Sequence, residues 1–167
     1  QKQRVMTFLD PGSDPLGAGY NIIQSKIAIG SGGFFGKGLL KGSQAQLDFL
    51  PEKQTDFIFT MMAEELGFIG ALLLLLLYAM LITFAMMLAA RARSSYARLL
   101  AAGVAALLFI HIFINMAMVM GLIPVVGVPL PFLSYGGSFL LATLMACGIL
   151  QHVYIHRDYT FMGRGRL

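Results

Sequence analysis

The chain has 167 residues, of which 57% are hydrophobic and only 12% charged, and its formal net charge at pH 7 is +4. A soluble domain carries about twice that share of charged residues, so the composition excludes an ordinary soluble protein and indicates a membrane protein. The basic residues are not gathered on one amphipathic face, which argues against nucleic-acid binding, and the single Cys147 excludes a disulfide framework.

Residues 1–55 are polar, rich in turn formers and too broken to cross a membrane. They open QKQRVMTF, without an initiator methionine or an apolar leader, so we expect a piece of a longer protein preceded by another membrane helix. Within them, apolar residues at 22, 23, 27 and 29 predict a short amphipathic helix. Such a helix lies on the membrane surface or packs on a neighbouring element.

Residues 30–42 read GSGGFFGKGLLKG and contain six glycines. Backbone amides without a nearby Cβ can approach an anion, so one interpretation is a phosphate cradle assisted by Lys26, Lys37 and Lys41. The spacing matches neither GxGxxG nor GxxxxGK[ST], however, and a flexible loop is the simpler interpretation.

Three apolar runs predict transmembrane helices at 56–90, 99–123 and 134–156. The first is expected to begin near Thr55, as the N-cap, with Asp56 in its first turn. Arginines in the 91–98 loop and the 157–167 tail place both segments in the cytoplasm by the positive-inside rule.

The 1–55 loop and a proline-rich loop at 124–133 then share the external side. Pro129 and Pro131 forbid a regular helix, so this second loop is predicted to be re-entrant or interfacial. The predicted fold is all-α: a fragment of a polytopic membrane protein with three transmembrane helices and a large external loop carrying short amphipathic helices.

Five of the eight acidic residues lie within or just before residues 51–70, where the polar region meets the first apolar run. A carboxylate near hydrocarbon is costly and is therefore a functional candidate. On a regular helix Glu64 lies about 80° around from Asp56 and Glu65 about 180°, so Glu64 could face the same cavity and Glu65 points away. Asp56 fits a capping acid and a catalytic acid equally well, whereas Glu64 and Glu65 are interpreted as hydrogen-bonded supports.

Other arrangements of reactive residues are weaker. No Cys or His spacing predicts a zinc site, and no Ser-His-Asp order is visible. His111 and Asn115 are four residues apart on one face of the second apolar run, where His111 is interpreted as a packing or hydrogen-bonding residue. From the residues alone, the prediction is an external acidic site with an anion-binding loop as one option, and no substrate is identified.

Three stretches together resemble the SEDS family of bacterial cell-wall polymerases, and its RodA members in particular. They are residues 4–33 (RVMTFLDPGSDPLGAGYNIIQSKIAIGSGG), 49–70 (FLPEKQTDFIFTMMAEELGFIG) and 121–138 (GLIPVVGVPLPFLSYGGS). The resemblance covers essentially the whole chain but only the C-terminal part of the family's longer protein. One departure is Gln54, where the family commonly has a histidine.

The resemblance implies a peptidoglycan glycosyltransferase that polymerises lipid II into glycan strands during cell elongation and shape maintenance. It implies a multi-pass protein of the bacterial inner membrane with its active site on the external face, and it assigns the family's essential aspartate to Asp56, as general base. The implied partners are lipid II, undecaprenyl-linked glycan, membrane lipid and a class B penicillin-binding protein, with no nucleic acid. A divalent cation, Mg²⁺ or Mn²⁺, is compatible with this chemistry, and no organic cofactor is expected.

Candidate substrate-binding residues lie beside Asp56, in the amphipathic helix and at the start of the third apolar run. They are Gln24, Ser25, Lys26, Glu52, Lys53, Thr55, Ser134, Gly136, Gly137 and Ser138. Two alternatives stay open at this point: a lipid II flippase, and a non-catalytic membrane scaffold of the elongation machinery.

Overall fold

The computed structural model describes residues 18–38, 41–42 and 55–156. They form four helices: α1 (Ala18–Gly32), α2 (Ile58–Arg91), α3 (Ser95–Val119) and α4 (Gly137–Ile155). These ranges contain no strand, so the all-α prediction is confirmed. α2, α3 and α4 are each long and apolar enough to cross a membrane, as predicted. Most of the predicted external loop and the C-terminal tail lie outside the described residues.

The connection between α2 and α3 is shorter than predicted. α2 continues through Arg91 and α3 begins at Ser95, so residues 92–94 alone join them, and the predicted loop at 91–98 is wrong in its extent. Arg91 lies in the last turn of α2, where a positive charge is favourable beside the helix C-terminus. Arg91 and Arg98 therefore lie within the helices, and Arg93 lies in the connection between them.

α3 ends at Val119, four residues before the predicted boundary, because Gly121 adopts a left-handed conformation with φ of 68°. Its amide donates to the Met118 carbonyl and the Leu122 amide donates to the Ala117 carbonyl. This pattern is a Schellman motif, which satisfies the last carbonyls of the helix and turns the chain away.

Two clusters of buried residues hold the helices together. One combines α2 and α3 with the segments that flank them, and includes Phe57, Tyr78, Met116 and Leu130. The other lies where α2 turns into α3 and is rich in alanine, and it also contacts α4 through Leu150 and Val153. Small side chains let membrane helices approach closely, which explains the alanine content there.

α2 folds back on itself at Gly67, whose φ and ψ of 67° and −164° are not helical. A straight helix would place Phe57 about 30 Å from Tyr78. Instead, the Tyr78 hydroxyl donates to the Pro131 carbonyl over 2.6 Å, and Ser134, only three residues further on, donates to the Thr55 carbonyl over 2.5 Å. Residues 58–66 therefore form a short arm that returns alongside the long arm, residues 68–91.

A loop from α1 completes the backbone hydrogen bonding at this bend. The Lys37 and Gly38 amides donate to the Glu64 and Glu65 carbonyls, each over 3.0 Å. In return, the Phe68 and Ile69 amides donate to the Gly33 and Phe34 carbonyls, over 2.9 and 3.2 Å. These four groups of α2 would pair with one another in a straight helix, so the loop at 33–38 substitutes for the missing turn.

Candidate active site

Asp56 lies in a turn formed by residues 55–57, immediately before α2. The helix begins at Ile58, its N-cap is Phe57, and no side-chain hydrogen bond caps it. The prediction that Thr55 caps the helix and Asp56 occupies its first turn is therefore wrong. The turn is determined by contacts with distant segments, which local sequence does not reveal.

Two hydrogen bonds hold the backbone of this turn. The side-chain amide of Asn115, in α3, donates to the Asp56 carbonyl over 2.9 Å and to the Val128 carbonyl over 2.7 Å. The Ser134 hydroxyl donates to the Thr55 carbonyl and accepts a hydrogen bond of 2.7 Å from the Leu130 amide. The turn is thus fixed against both α3 and the loop that joins α3 to α4.

The Asp56 carboxylate lies against Gly127 in that loop. A Cβ added at Gly127 would come within 3.1 Å of Asp56 Oδ2, and the φ of Gly127 is 81°. Asp56 is half-buried in this position. A glycine is needed here both for its backbone conformation and for the space that the carboxylate occupies.

Residues 120–136, between α3 and α4, contain no regular helix and pass between the helices. Tyr78 lies on the long arm of α2, about 16 Å beyond the bend, and its buried hydroxyl bonds to Pro131. The loop therefore lies against α2 within the helical bundle; whether it is re-entrant or interfacial, the two alternatives predicted from its prolines, stays a prediction. α4 begins at Gly137, so the predicted start at residue 134 is three residues early.

Glu64 occupies a different environment from Asp56. Its side chain is fully buried and forms an ion pair of 2.7 Å with Lys37, which also bonds to the Glu64 carbonyl through its own amide. A Cβ at Gly42 would lie 3.1 Å from Glu64 Oε2, so residues 37 and 42 both cover this carboxylate. The expectation that Glu64 faces the same cavity as Asp56 placed both residues on one helix and is not supported, because Asp56 precedes α2 and the Glu64 carboxylate is paired with Lys37. The supporting role predicted for it agrees with these contacts, and Glu65 is half-buried beside it.

The glycine-rich segment is not a phosphate cradle in this structure. The Gly36 amide donates to the Gly32 carbonyl over 2.8 Å, and the next two amides donate to α2. Its glycines instead permit close backbone contact: a Cβ at Gly32 would collide with the Ala63 carbonyl, and one at Gly36 with the Glu65 carbonyl. The amides that would cradle an anion are already occupied by the bend of α2.

The predicted substrate-binding residues differ in their burial and in their contacts. Ser25 is fully buried and donates to the Val119 carbonyl, and the buried Ser134 joins the loop to Thr55, so the contacts of both hydroxyls are structural. Lys26 is exposed, with its ammonium against Gly121. Gly137 and Ser138 are also exposed; Gln24, Thr55 and Gly136 are half-buried. Glu52 and Lys53 lie outside the described residues.

An apolar groove of about 590 Å³ opens on the inner side of the bend in α2. Its lining residues come from both arms of α2, from α1 with its following loop, and from the end of α3. They include Phe59, Ala63, Ala71, Leu75, Phe34 and Met120. Phe59, one of the lining residues, follows Asp56 by three residues in the sequence.

Asn115 and Gly127 were not identified as site residues from the sequence. Asn115 was visible as a polar residue in an apolar run, and such residues in membrane helices are frequently functional. Gly127 follows the two valines of a proline-containing loop, and nothing local distinguishes it from an ordinary turn glycine. Within residues 18–38, 41–42 and 55–156, no group of three or more His, Cys, Asp or Glu could hold a metal ion.

Comparison with known proteins identifies the family. The family model described as cell cycle protein, covering FtsW, RodA and SpoVE, matches residues 1–159. The chain belongs to the FtsW/RodA/SpoVE family. Together with its three membrane-spanning helices, this membership makes it part of a membrane protein.

One relative in this family is the peptidoglycan glycosyltransferase MrdB of Escherichia coli strain K12. It is 57% identical over 157 residues, which are 94% of this chain and 42% of MrdB. The chain thus spans less than half the length of the curated relatives it matches.

Two solved structures share the fold of this FtsW/RodA/SpoVE family member. One is described as showing structural coordination of polymerization and crosslinking by a peptidoglycan synthase complex; it has a TM-score of 0.78 and 34% identity, covering 96% of this chain and 43% of that one. The other is the rod shape determining protein RodA of Thermus thermophilus, in a variant with one aspartate replaced by alanine. Its TM-score is 0.62 at 37% identity, covering 65% of this chain and 37% of that one.

Proposed function

We propose that the protein containing this chain is a peptidoglycan glycosyltransferase that polymerises lipid II into glycan strands, with Asp56 as its general base. The proposal places this reaction on the external face of the bacterial inner membrane, during cell elongation. Family membership and the name of the 57% identical relative support the reaction class. The observation that supports the assignment of Asp56 is its turn, which side-chain hydrogen bonds hold to α3 and to the loop between α3 and α4.

The chemistry requires a base at one point. The 4-hydroxyl of an acceptor sugar is a poor nucleophile until its proton is removed, and a carboxylate within hydrogen-bond reach can accept that proton. The oxygen then attacks the anomeric carbon of the donor sugar with inversion, and the bond to the lipid diphosphate breaks. Because the diphosphate is already a good leaving group, one carboxylate suffices, and Asp56 returns the proton to water.

The groove supports a lipid-linked donor. A long isoprenoid chain needs an apolar surface, and the groove provides one that includes Phe59, three residues after Asp56 in the sequence. Lys26 lies on the α1 face that continues into the groove at Ile29 and Gly30, and its exposed ammonium is suited to a diphosphate. The exposed Gly137 and Ser138 and the half-buried Gln24, Thr55 and Gly136 are the remaining described candidates for sugar contacts.

The partner and cation predictions remain part of the proposal. A class B penicillin-binding protein as partner is supported by the fold's similarity to a structure described as a peptidoglycan synthase complex. A divalent cation would act on the diphosphate of the substrate, where it would offset the charge of the leaving group.

The test is polymerisation of labelled lipid II by purified full-length protein, with and without Mg²⁺. We expect Asp56→Ala and the near-isosteric Asp56→Asn to lose about 10²–10⁴-fold in rate, the usual contribution of a general base. Thr83→Ala, an exposed change on α2, serves as the control and should retain the wild-type rate.

Normal glycan synthesis by Asp56→Asn would exclude the catalytic assignment. Lipid II translocation by that variant in vesicles, without polymer, would instead favour a flippase.

A further inference from the structure

Asn115 is a polar residue buried in the apolar helix α3. It is fully buried, among residues such as Ile112 and Met116 that belong to the main core cluster. A buried amide is costly in such surroundings unless it is hydrogen-bonded. Its two N–H groups are both used, one on the Asp56 carbonyl and one on the Val128 carbonyl.

The orientation of this amide is determined by its acceptors. Both partners are carbonyls, so Oδ1 cannot face either of them, and the NH₂ group must. Oδ1 itself has no hydrogen-bond partner among the described residues. The side chain is therefore retained for its two donors, at the cost of an unpaired buried acceptor.

The two acceptors belong to the two segments that determine where the Asp56 carboxylate lies. One is the carbonyl of Asp56 itself, and the other is that of Val128, the neighbour of Gly127. Gly127 is the residue against which the carboxylate packs. The two N–H groups diverge at a fixed angle from one nitrogen. The Asn115 amide therefore fixes the distance between the backbone of Asp56 and the segment, Gly127 and Val128, against which the carboxylate packs.

We propose that Asn115 is a positioning residue for Asp56, which orients the carboxylate by bridging residues 56 and 128. Asn115 does not touch substrate in this proposal; it acts through the backbone of the catalytic residue. Ser134 provides a second attachment one residue earlier, at the Thr55 carbonyl, so rotation of the turn is opposed at two successive peptides. The inference rests on the proposed function of Asp56 as general base.

The experiment measures kcat and KM for lipid II with purified full-length protein, together with the melting temperature in detergent. Asn115→Leu keeps the size of the side chain and removes both donors. We expect kcat to fall at least tenfold while KM stays within about threefold, because substrate-binding groups are untouched and the base is misplaced. A general structural defect would instead lower the melting temperature and the fraction of active protein without changing kcat per active molecule.

His111→Leu is the matched control. His111 lies one turn earlier on the same helix, and its ring bonds to the Leu107 carbonyl of its own helix. The His111→Leu variant makes the same change of a polar side chain to leucine, and its kcat should equal that of the wild type. Should Asn115→Leu fail to fold, Asn115→Gln keeps the two donors but moves them by one methylene, and it is expected to show the same fall in kcat.

The outcomes separate the two proposals. If Asp56→Asn loses activity while Asn115→Leu and Asn115→Gln both retain wild-type kcat, the positioning role is excluded and the function of Asp56 stands. If Asp56→Asn retains wild-type kcat, the proposed function itself fails, whatever Asn115 does.

Discussion

The carboxylate of Asp56 has little room to move at the residue scale. Its own peptide is bonded to Asn115, the preceding peptide is bonded to Ser134, and Gly127 lies directly against Oδ2. Fixing the backbone leaves only the two side-chain torsions of the aspartate to be ordered. For the general base proposed above, a backbone held in this way reduces the conformational freedom that is lost when substrate binds.

Gly127→Ala is expected to displace this carboxylate. The new Cβ would lie 3.1 Å from Oδ2, and the φ of 81° is unfavourable for alanine by about 1–2 kcal/mol. We expect polymerisation to fall about tenfold to a hundredfold, the effect of misplacing a catalytic group by about 1 Å. The measurement is the rate of lipid II polymerisation at equal amounts of folded protein.

Gly103→Ala controls for the loss of a glycine. Gly103 lies on an exposed face of α3 with nothing within 4 Å of an added Cβ, so its activity should match the wild type. Equal activity of Gly127→Ala and Gly103→Ala would contradict the contact with Asp56.

The sequence identified Asp56 as a candidate but not the residues that hold its backbone in place. Asp56 was selected because a carboxylate at the start of an apolar run is costly, and the family resemblance then assigned it the catalytic role. Asn115 is 59 residues away along the chain and Ser134 is 79 residues from its partner Thr55, so their contacts depend on the whole fold. Local capping rules failed at Thr55 because these long-range bonds determine the turn.

At the scale of secondary-structure elements, the main feature is the bend of α2. The hydropathy of the run predicted its length, yet 34 helical residues would extend about 51 Å, well beyond the ~30 Å hydrocarbon layer. Folding back at Gly67 leaves 68–91 as a span of about 36 Å. The sequence shows Gly67 as an isolated glycine, and the loop that pairs with the bend is about thirty residues earlier, so periodicity alone could not predict it.

Gly36→Ala should weaken this pairing. An added Cβ would lie 2.5 Å from the Glu65 carbonyl carbon and 2.6 Å from the Gly67 nitrogen, and the φ is 75°. We expect a loss of about 2–4 kcal/mol in the free energy of unfolding, since backbone must move to relieve the overlap. Thermal unfolding in detergent and proteolysis of the 33–38 loop would both report it.

Gly30→Ala provides the comparison in the same segment. It lies in α1 with open space around a Cβ, and alanine there should be neutral or stabilise by up to about 1 kcal/mol. Indistinguishable melting of the two variants would show that the loop does not pack into the bend as described.

At the scale of the whole molecule, the prediction of three spans was correct, while the path of the chain between them was not foreseen. Composition and hydropathy determine how many helices cross the membrane. Which loops enter the bundle depends on tertiary bonds such as Tyr78 to Pro131. The candidate site is therefore built from α2, α3 and the loop between α3 and α4 together, and no single stretch of sequence encodes it.

A cross-linking experiment tests this arrangement. In a Cys147→Ser background, cysteines at Thr55 and Ser134 should be joined by a short bifunctional thiol reagent, because these residues share a hydrogen bond. A straight α2 would carry Thr55 about 35 Å along the helix axis from Tyr78 and out of reach of the loop. Cleavage of the chain between the two positions should leave the halves linked.

Cysteines at Thr55 and Ser95 form the control pair. Ser95 begins α3, beside the alanine-rich cluster where α2 turns into α3, and should not be joined to residue 55 by the same reagent. Efficient linkage of the control pair, or none between residues 55 and 134, would refute the fold-back.

The short arm of α2, residues 58–66, connects the turn that holds Asp56 to the bend at Gly67. Asp56 lies about 16 Å of helix rise from Gly67, so a change of about 10° in the bend angle corresponds to about 3 Å at residue 56. The loop at 33–38 is bonded to the residues on both sides of this bend by four backbone hydrogen bonds and one ion pair. The position of Asp56 therefore depends on the bonds that the glycine-rich loop makes at the bend, as well as on those from Asn115 and Ser134.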